Sequence, residues 1–223
     1  MKVSVVVVCL NAGEELSATV QSVLTQNYED FEIIIKDGGS RDGSLEKLPV
    51  DERIKVYREA DQSIYDAMNQ AIRYTTGDYL LFLNCGDYLA DAKVLGRIEK
   101  VICKTGADIV YGVRSDRKSD SFFKRTTAQG FYKVMNALGV KSVYNHADFR
   151  LMSHRAVEAL SEYKERNLFL RGIVPLIGFK TESVYYERSK RVAGESKYPL
   201  KKMLKFAFDG ITSFSIKPIS LIT

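Results

Sequence analysis

The chain has 223 residues, of which 33 are Lys or Arg and 28 are Asp or Glu, and its net charge at pH 7 is +5. With 45% hydrophobic residues, 27% charged residues and four prolines, it cannot be a disordered, collagenous or low-complexity chain, and one globular domain with a packed core is expected. The charge is unevenly divided, because residues 1–111 hold 12 basic and 18 acidic side chains whereas residues 112–223 hold 21 and 10. This asymmetry predicts two surfaces with different partners.

No stretch reaches the roughly 18 consecutive apolar residues of a membrane span, so we expect the chain as given not to cross a bilayer. The apolar start Val3–Leu10 is too short for a signal peptide. Cys9, Cys85 and Cys103 lack the spacing of metal ligands or of a Cys-x-x-Cys pair. Their odd number and the absence of such spacing favour a reduced cytosolic setting and argue against zinc and disulfides.

Short β-branched segments alternate with helical periodicity through the first half of the chain. Strands are predicted at 3–10, 31–36, 54–57, 79–83 and 108–113, and helices at 14–26, directly after Ser40, at 64–74 and at 92–103. Strands that alternate with helices at this spacing predict an α/β fold with a doubly wound, mostly parallel sheet.

Beyond Val113 the pattern is more polar and more basic. Helices are predicted at 128–138 and 155–160, and strands at 148–152 and 180–187. The tail from Tyr198 places aromatic and aliphatic side chains beside lysines, which is typical of amphipathic helices at a membrane interface. We therefore expect residues 197–217 to contact an anionic membrane surface, with a terminal helix packed on the sheet as the alternative.

In an open α/β sheet, ligands bind beyond the carboxyl ends of the strands, and polar residues follow three of the predicted strands. Asn11 and Glu15 follow the first strand, the turn Asp37–Gly43 follows the second, and Asn84–Asp87 follows the fourth. The first turn has a single glycine, which excludes the G-x-G-x-x-G dinucleotide motif and a P-loop. Carboxylates at these positions indicate contacts to the hydroxyl groups of a ligand. They also indicate a site for Mg2+ or Mn2+, with diphosphate oxygens of the ligand as the remaining metal ligands.

Four segments of the first half, 5–11, 37–42, 61–69 and 82–87, together resemble inverting glycosyltransferases of family 2, particularly those that build bacterial surface polysaccharides. The resemblance implies a Rossmann-like GT-A fold and a nucleotide-sugar donor. It also implies that Asp37 contacts the base or ribose, that Asp66 lies near the diphosphate and sugar, and that Asp87 binds the metal. With Asn11, Glu15 and Asn84, these residues form the expected donor site. The alternative for each implied carboxylate is a turn or a helix cap.

Segments 111–125, 145–152, 169–172 and 194–201 resemble another branch of the same family, the polyprenyl-phosphate glycosyltransferases similar to dolichol-phosphate-mannose synthase. Those enzymes usually continue into transmembrane helices beyond the position of Thr223. Their metal loop, Asp-x-Asp-x-Gln, corresponds to Asn84, Gly86 and Tyr88 here, so Asp87 alone remains as a ligand. Because the resemblance changes branch near Gly112, we expect a mosaic sequence, natural or designed.

A lipid monophosphate would suit the basic second half, since Arg binds phosphate through two parallel hydrogen bonds. The residues expected to hold it are Arg114, Arg117, Arg125 and Arg191. The resemblance makes Asp148 catalytic, and we expect it to orient the acceptor or to take its residual proton while Arg150 steadies the carboxylate. A purely structural Asp148–Arg150 pair and a solvated basic loop stay open.

The sequence therefore predicts metal-dependent, inverting transfer of a sugar from a UDP-sugar to a polyprenyl phosphate, by a protein peripheral on the cytoplasmic face of the cell membrane. Residues 1–111 would be the donor half of one GT-A domain, 112–196 its acceptor half, and 197–223 a basic juxtamembrane segment. One alternative is a soluble enzyme that uses a sugar hydroxyl in surface-polysaccharide synthesis. Another is a non-catalytic basic module that binds lipid or nucleic acid. The preferred interpretation needs no nucleic acid and leaves a homo-oligomer open.

Overall fold

The computed structural model describes residues 1–114, 146–163 and 170–186, without the side chains of residues 114, 146–148 and 171–172. Within these ranges the strands are Val3–Cys9 (β1), Phe31–Asp37 (β2), Ile54–Arg58 (β3), Tyr79–Phe82 (β4), Ile109–Arg114 (β5), His146–Ser153 (β6) and Thr181–Tyr186 (β7). The helices are Glu14–Leu24 (α1), Ile64–Ile72 (α2), Val94–Thr105 (α3), His154–Ser161 (α4) and Leu170–Ile173 (α5), and a 3-10 turn follows at Val174–Ile177.

The strands form one sheet in the order β3-β2-β1-β4-β6-β5-β7. β1 pairs in parallel with β2 and β4, β2 pairs in parallel with β3, and β6 runs antiparallel to β4 with Leu80 opposite Met152. The chain builds outward from β1 to β3 and then returns to the other side of β1 to form β4. The carboxyl ends of β1 and β4 therefore flank a topological switch point, which is where open α/β sheets bind ligands.

Helices cover both faces of the parallel part of the sheet. On one face, side chains of β1 pack against α1 and α3, through a cluster that includes Val5, Val7, Leu16, Val20, Leu95 and Ile98. On the other face, Val6, Val8 and Ile34 pack against Ala67 and Ala71 of α2. β1 and β2 are buried along their whole length, which explains their nearly continuous apolar sequences. The predicted doubly wound α/β sheet is confirmed.

One predicted helix is wrong, because the segment after Ser40 forms turns. The N–H group of Ser40 donates to Asp37, that of Ser44 donates to Asp42, and Gly43 has a φ of +75°. These local hydrogen bonds occupy backbone donors that a helix would need. The predictions for 128–138 and 197–223 lie outside the described residues.

Backbone contacts divide the chain into two compact units. The first comprises Met1–Gly112, Ala147–Val157 and Lys180–Val184, and the second comprises the remaining segments. The first unit contains α1 to α3 and the switch point between β1 and β4. None of the helices in the described ranges has the length and apolar character needed to span a bilayer.

A buried carboxylate stabilises β2 near its start. The Glu32 side chain is 3% exposed and accepts hydrogen bonds from Ser4 Oγ at 2.7 Å, Thr76 N at 2.7 Å and Lys55 Nζ at 2.9 Å. Burial of the carboxyl opposes ionisation, but the hydrogen bonds from Lys55, Ser4 and Thr76 outweigh it and lower the pKa of Glu32 to about 2.

Glu32 should make the stability of the fold depend on acid pH. A carboxyl whose pKa is lowered on folding stabilises the native state above its ordinary pKa of 4.5, and this contribution is lost as the pH falls towards 2. In urea unfolding, we expect the free-energy difference between wild type and Glu32→Gln to shrink by about 2 kcal/mol from pH 6 to pH 3. The exposed Glu52→Gln serves as the matched control. A Glu32 difference that is constant across this range would contradict the assignment.

Candidate active site

Asp37 ends β2, and its buried carboxylate organises the turn that follows. It accepts hydrogen bonds from Gly39 N at 3.1 Å, from Ser40 N at 3.0 Å and from the Ser40 hydroxyl. Arg58 Nε lies 3.2 Å from Asp37 Oδ2, and the same guanidinium donates to the Ser40 carbonyl. Both oxygens of Asp37 are thus engaged by the chain itself. The structure assigns this carboxylate the role of holding the turn, and its predicted contact with the donor stays a prediction.

The loop after β1 is tied to that same turn. Asn11 has a φ of +50°, which Asn tolerates better than most residues, and its N–H donates to Ser40 Oγ at 2.8 Å. Its side-chain oxygen accepts from Arg41 N at 2.9 Å, while Gly13 N donates to Asp42 Oδ2 at 2.8 Å. These bonds fix the two loops against each other at the carboxyl edge of the sheet.

The loop after β4 lies against the start of α1. Asp87 N donates to the Asn84 carbonyl at 2.9 Å, and Gly86 N donates to Thr19 Oγ1 at 2.9 Å. Gly86 has a φ of +90°, and a Cβ there would lie 3.0 Å from Glu15 Oε2. Glu15 and Asp87 therefore border the same short loop.

This loop has the donor groups of a cation site that substrate oxygens complete. Asp87 is exposed, and within the described ranges its carboxylate accepts only a long bond, 3.4 Å from Asn84 Nδ2. Those ranges contain no cluster of three His, Cys, Asp or Glu side chains that could hold a metal unaided. Mg2+ is commonly held by one or two carboxylates together with substrate phosphates. Asp87, with Glu15 beside the loop, fits that chemistry.

Asp66 lies in the first turn of α2, where it completes a helix cap. Asp66 N donates to Ser63 Oγ at 3.2 Å, and Asp66 Oδ2 accepts from Gln62 N at 2.9 Å and from Gln70 Nε2 at 3.2 Å. Ser63 is the N-cap residue, so Asp66 both donates to the cap and accepts from the residue before it, and this helix-cap role is the alternative that the sequence left open. A contact between Asp66 and the donor stays a prediction.

Two cysteines border the same edge but are poor nucleophiles. Burial, followed by the charge of Asp37, raises the pKa of Cys9 to about 12. Burial, followed by the charge of Glu15, raises the pKa of Cys85 to about 11. A thiol that stays protonated near neutral pH does not support covalent catalysis.

A buried ion pair, absent from the sequence predictions, lies beside Gly38 at this edge of the sheet. Lys36 is fully buried, and its Nζ lies 2.6 Å from Asp61 Oδ2 and donates to the Glu59 carbonyl at 2.7 Å. A Cβ at Gly38 would lie 2.7 Å from Asp61 Oδ2, so only glycine leaves room for this carboxylate. The available signal was a lysine inside the strand sequence FEIIIKD, since a lysine buried in a sheet needs a charged or polar partner.

The predicted acceptor residues are described only in part. Asp148 and Arg150 lie two residues apart on β6 and therefore on one face of that strand. Because β6 runs antiparallel to β4, its first residues lie at the carboxyl end of β4, where the Asp87 loop begins. Arg150 also opposes the effect of burial on Tyr111, whose pKa is raised to about 12. The side chains of Asp148 and Arg114, and Arg117, Arg125 and Arg191 altogether, lie outside the described residues.

The sheet order and the polar loops at the switch point define an open, doubly wound α/β protein with a candidate ligand site at the carboxyl edge of its sheet. Residues 4–161 match the model of glycosyl transferase family 2, and the chain belongs to that family. This finding confirms the resemblance that the motifs of the first half indicated.

Relatives of known sequence fall into two groups. The chain is 66% identical over 118 residues to the uncharacterised glycosyltransferase YkoT of Bacillus subtilis, and 37% identical over 210 residues to YkcC of the same organism. These matches cover 53% and 91% of the chain but 35% and 64% of the relatives, so the chain spans about a third to under two thirds of their length. The bactoprenol glucosyl transferase of Shigella phage SfX is 35% identical over 235 residues, which cover all of the chain and 75% of that protein. The alignment with this phage protein runs through both halves of the chain, and the mosaic origin stays a prediction.

Solved structures with the same fold include two complexes. TarS of S. aureus in complex with UDP has a TM-score of 0.60 and 17% identity, covering 85% of the chain and 61% of TarS. The mannosyltransferase PcManGT of Pyrobaculum calidifontis, in complex with GDP-Man and Mn2+, has a TM-score of 0.59 and 14% identity, covering 95% and 73%. At these identities the likeness concerns the fold, and the expected GT-A fold is confirmed.

Proposed function

We propose that the chain transfers a sugar from a UDP-sugar to a polyprenyl phosphate, with inversion at the anomeric carbon and with Mg2+ or Mn2+, on the cytoplasmic face of the membrane. The observation that carries this proposal is the alignment of bactoprenol glucosyl transferases over the whole chain. Bactoprenol is a polyprenyl lipid, so an acceptor of the same class fits the basic second half. The solved neighbours with UDP and with Mn2+ support the donor class and the metal.

The donor half would work through the loops at the switch point. Asp87, with Glu15 beside it, would hold the divalent cation, whose charge offsets that of the departing diphosphate. Asn11 and the Asp37 turn would line the nucleoside side, and Asn84 would keep Asp87 in place. Asp66 would act at the sugar end of the donor in this proposal, in addition to capping α2.

The acceptor half would bind the nucleophile, which is the phosphate of the acceptor lipid. An acceptor phosphate oxygen forms a bond to the anomeric carbon as the bond from that carbon to the UDP oxygen breaks, so UDP leaves and a sugar-phosphate lipid results. Asp148 would orient this phosphate with Arg150 beside it, and the beginning of β6 lies next to the end of β4, which supports the pairing of donor and acceptor there. Further phosphate contacts would come from Arg114, Arg117, Arg125 and Arg191. Residues 197–217 would bind the anionic membrane surface, and a homo-oligomer is compatible with this arrangement.

Incubation of the full chain with a panel of UDP-sugars, Mn2+ and undecaprenyl phosphate tests the proposal. We expect UDP release coupled to a labelled, lipid-extractable product with at least one donor. Label that enters only a sugar-hydroxyl acceptor would favour the soluble polysaccharide enzyme. Absence of UDP release with every donor and acceptor would overturn the enzymatic proposal.

The pH dependence of an Asp148→Asn variant should identify the acceptor. A phosphate acceptor is already ionised near neutral pH, so we expect the variant to lower kcat/KM by a similar factor at every pH from 6 to 9. A hydroxyl acceptor needs a general base, whose removal typically costs about 100- to 10,000-fold and would eliminate the acidic limb of the wild-type profile. The exposed Glu162→Gln is the control, and loss of that limb in Asp148→Asn alone would contradict a phosphate acceptor.

A further inference from the structure

The loop that carries Asp87 is held by hydroxyl side chains of α1. Thr19 and Ser22 lie three positions apart on that helix and therefore on the same side of it. Gly86 N donates a hydrogen bond to Thr19 Oγ1 at 2.9 Å. Leu89 N donates to Ser22 Oγ at 3.2 Å. These two bonds hold the backbone of the loop on either side of Asp87.

Gln26, two residues beyond the end of α1, holds the far end of the same loop. Its side chain donates to the Asp91 carbonyl at 2.7 Å and accepts from Leu95 N at 3.2 Å. Asn27 N donates to the Ala92 carbonyl at 2.7 Å. The connection from β4 to α3 is therefore bonded to α1, and to the residues directly after α1, along most of its length.

Thr19 is a rigid support for this loop. It is fully buried, and its neighbours Leu16 and Val20 pack into the core beside β1. The Ser22 hydroxyl donates in turn to the Thr19 carbonyl at 2.7 Å, which fixes the direction in which Ser22 accepts. Asp87, in contrast, is exposed, and its carboxylate accepts only one long bond within the described ranges. The position of the Asp87 carboxylate is therefore set mainly by the backbone of its loop.

We propose that Thr19 and Ser22 are positioning residues for Asp87 and keep its carboxylate where a divalent cation and the donor diphosphate require it. The inference rests on the proposed function, because it presumes a donor whose diphosphate shares the cation with Asp87. Groups that act together at a site have to be held within about 0.5 Å of their productive geometry. Without an acceptor at position 19, the N–H group of Gly86 has to find another partner, and the loop moves with it.

Thr19→Val tests this role, because valine has nearly the shape of threonine but no hydroxyl to accept the bond. The full chain is titrated calorimetrically with UDP, once in Mn2+ and once in EDTA. Only the metal-dependent part of UDP binding depends on Asp87. We therefore expect Thr19→Val to reduce the ratio of the two affinities about 10-fold, the lower end of the effect of substitutions behind metal ligands. The UDP affinity in EDTA should stay close to that of wild type.

The ratio separates positioning from support of the fold, since a loss of folded protein lowers both affinities equally. Thr19→Ser restores the hydroxyl and should restore the ratio, and Ser22→Ala should reduce it in the same direction as Thr19→Val. Thr75→Val is the matched control. Thr75 is 9% exposed, and its hydroxyl donates to the Ile72 carbonyl at 2.7 Å between α2 and β4, at the amino edge of the sheet. This variant should keep the wild-type ratio.

The outcomes distinguish the positioning role from the proposed function. A wild type whose UDP affinity rises with Mn2+, together with a Thr19→Val variant of unchanged ratio, would overturn the positioning role and leave the proposed function standing. A wild type whose UDP affinity does not respond to Mn2+ would overturn the metal in the proposed function and the positioning role with it.

Discussion

Replacement of Asp87 by Ala should lower kcat/KM for sugar transfer roughly 100- to 1000-fold, the loss that follows removal of one electrostatic contact to a departing charge. Asp87 is exposed, and its side chain makes only a 3.4 Å contact within the described residues, so the fold should remain intact. The measurement is steady-state turnover over a Mn2+ titration, combined with thermal unfolding.

Asp91→Ala is the control for Asp87→Ala. Asp91 is an aspartate of similar exposure, and it pairs with Arg97 at 3.0 Å near the start of α3. It should retain wild-type turnover. Wild-type activity in Asp87→Ala at every Mn2+ concentration would rule out this carboxylate as the metal ligand.

Asp37→Ala should reduce both stability and nucleotide binding. The substitution leaves two N–H groups and one hydroxyl of the buried turn without their acceptor and deprives Arg58 of its ion pair. We expect the free energy of unfolding in urea to fall by roughly 2–4 kcal/mol. UDP affinity should fall as well, since the turn holds the loop after β1 in place.

Asp42→Ala is the control for Asp37→Ala, because Asp42 belongs to the same turn. Asp42 accepts hydrogen bonds from Gly13 and Ser44 but is exposed, so its loss should lower the free energy of unfolding much less than the loss of Asp37 does. If Asp37→Ala lost UDP binding at unchanged stability, the direct contact with the donor that the family resemblance implies would be supported over the structural role.

Local sequence sufficed where one strong signal dominates. β1 and β2 are continuous apolar segments, and α1 and α3 carry apolar residues at helical spacing, so their positions were predicted to within a few residues. The segment after Ser40 failed because its structure depends on side-chain bonds from Asp37 and Asp42 to the backbone, which compete with a helix. Hydrophobic periodicity carries no information about such bonds.

The candidate site shows the same division. Asn11, Glu15, Asp37, Asn84 and Asp87 could be placed at one edge of the sheet, because the carboxyl ends of parallel strands coincide. The pairing of Asp61 with Lys36 could not be foreseen, since it joins residues 25 positions apart through the packing of β2 against the loop after β3. Position in the chain did not distinguish a carboxylate with both oxygens engaged from one with an oxygen to spare.

The sequence by itself determined the α/β class, the family and the edge of the sheet that holds the candidate site, since periodicity, motif spacing and strand polarity are properties of the chain alone. Only the tertiary structure decided which carboxylates hold the framework and which stay open to a ligand. Burial and hydrogen-bond partners set that difference, and both arise when distant segments meet. In the acidic first half, Asp37 and Asp66 thus organise a turn and a helix start. Asp61 and Asp87 differ, because each has a carboxylate oxygen that accepts no hydrogen bond from the described residues.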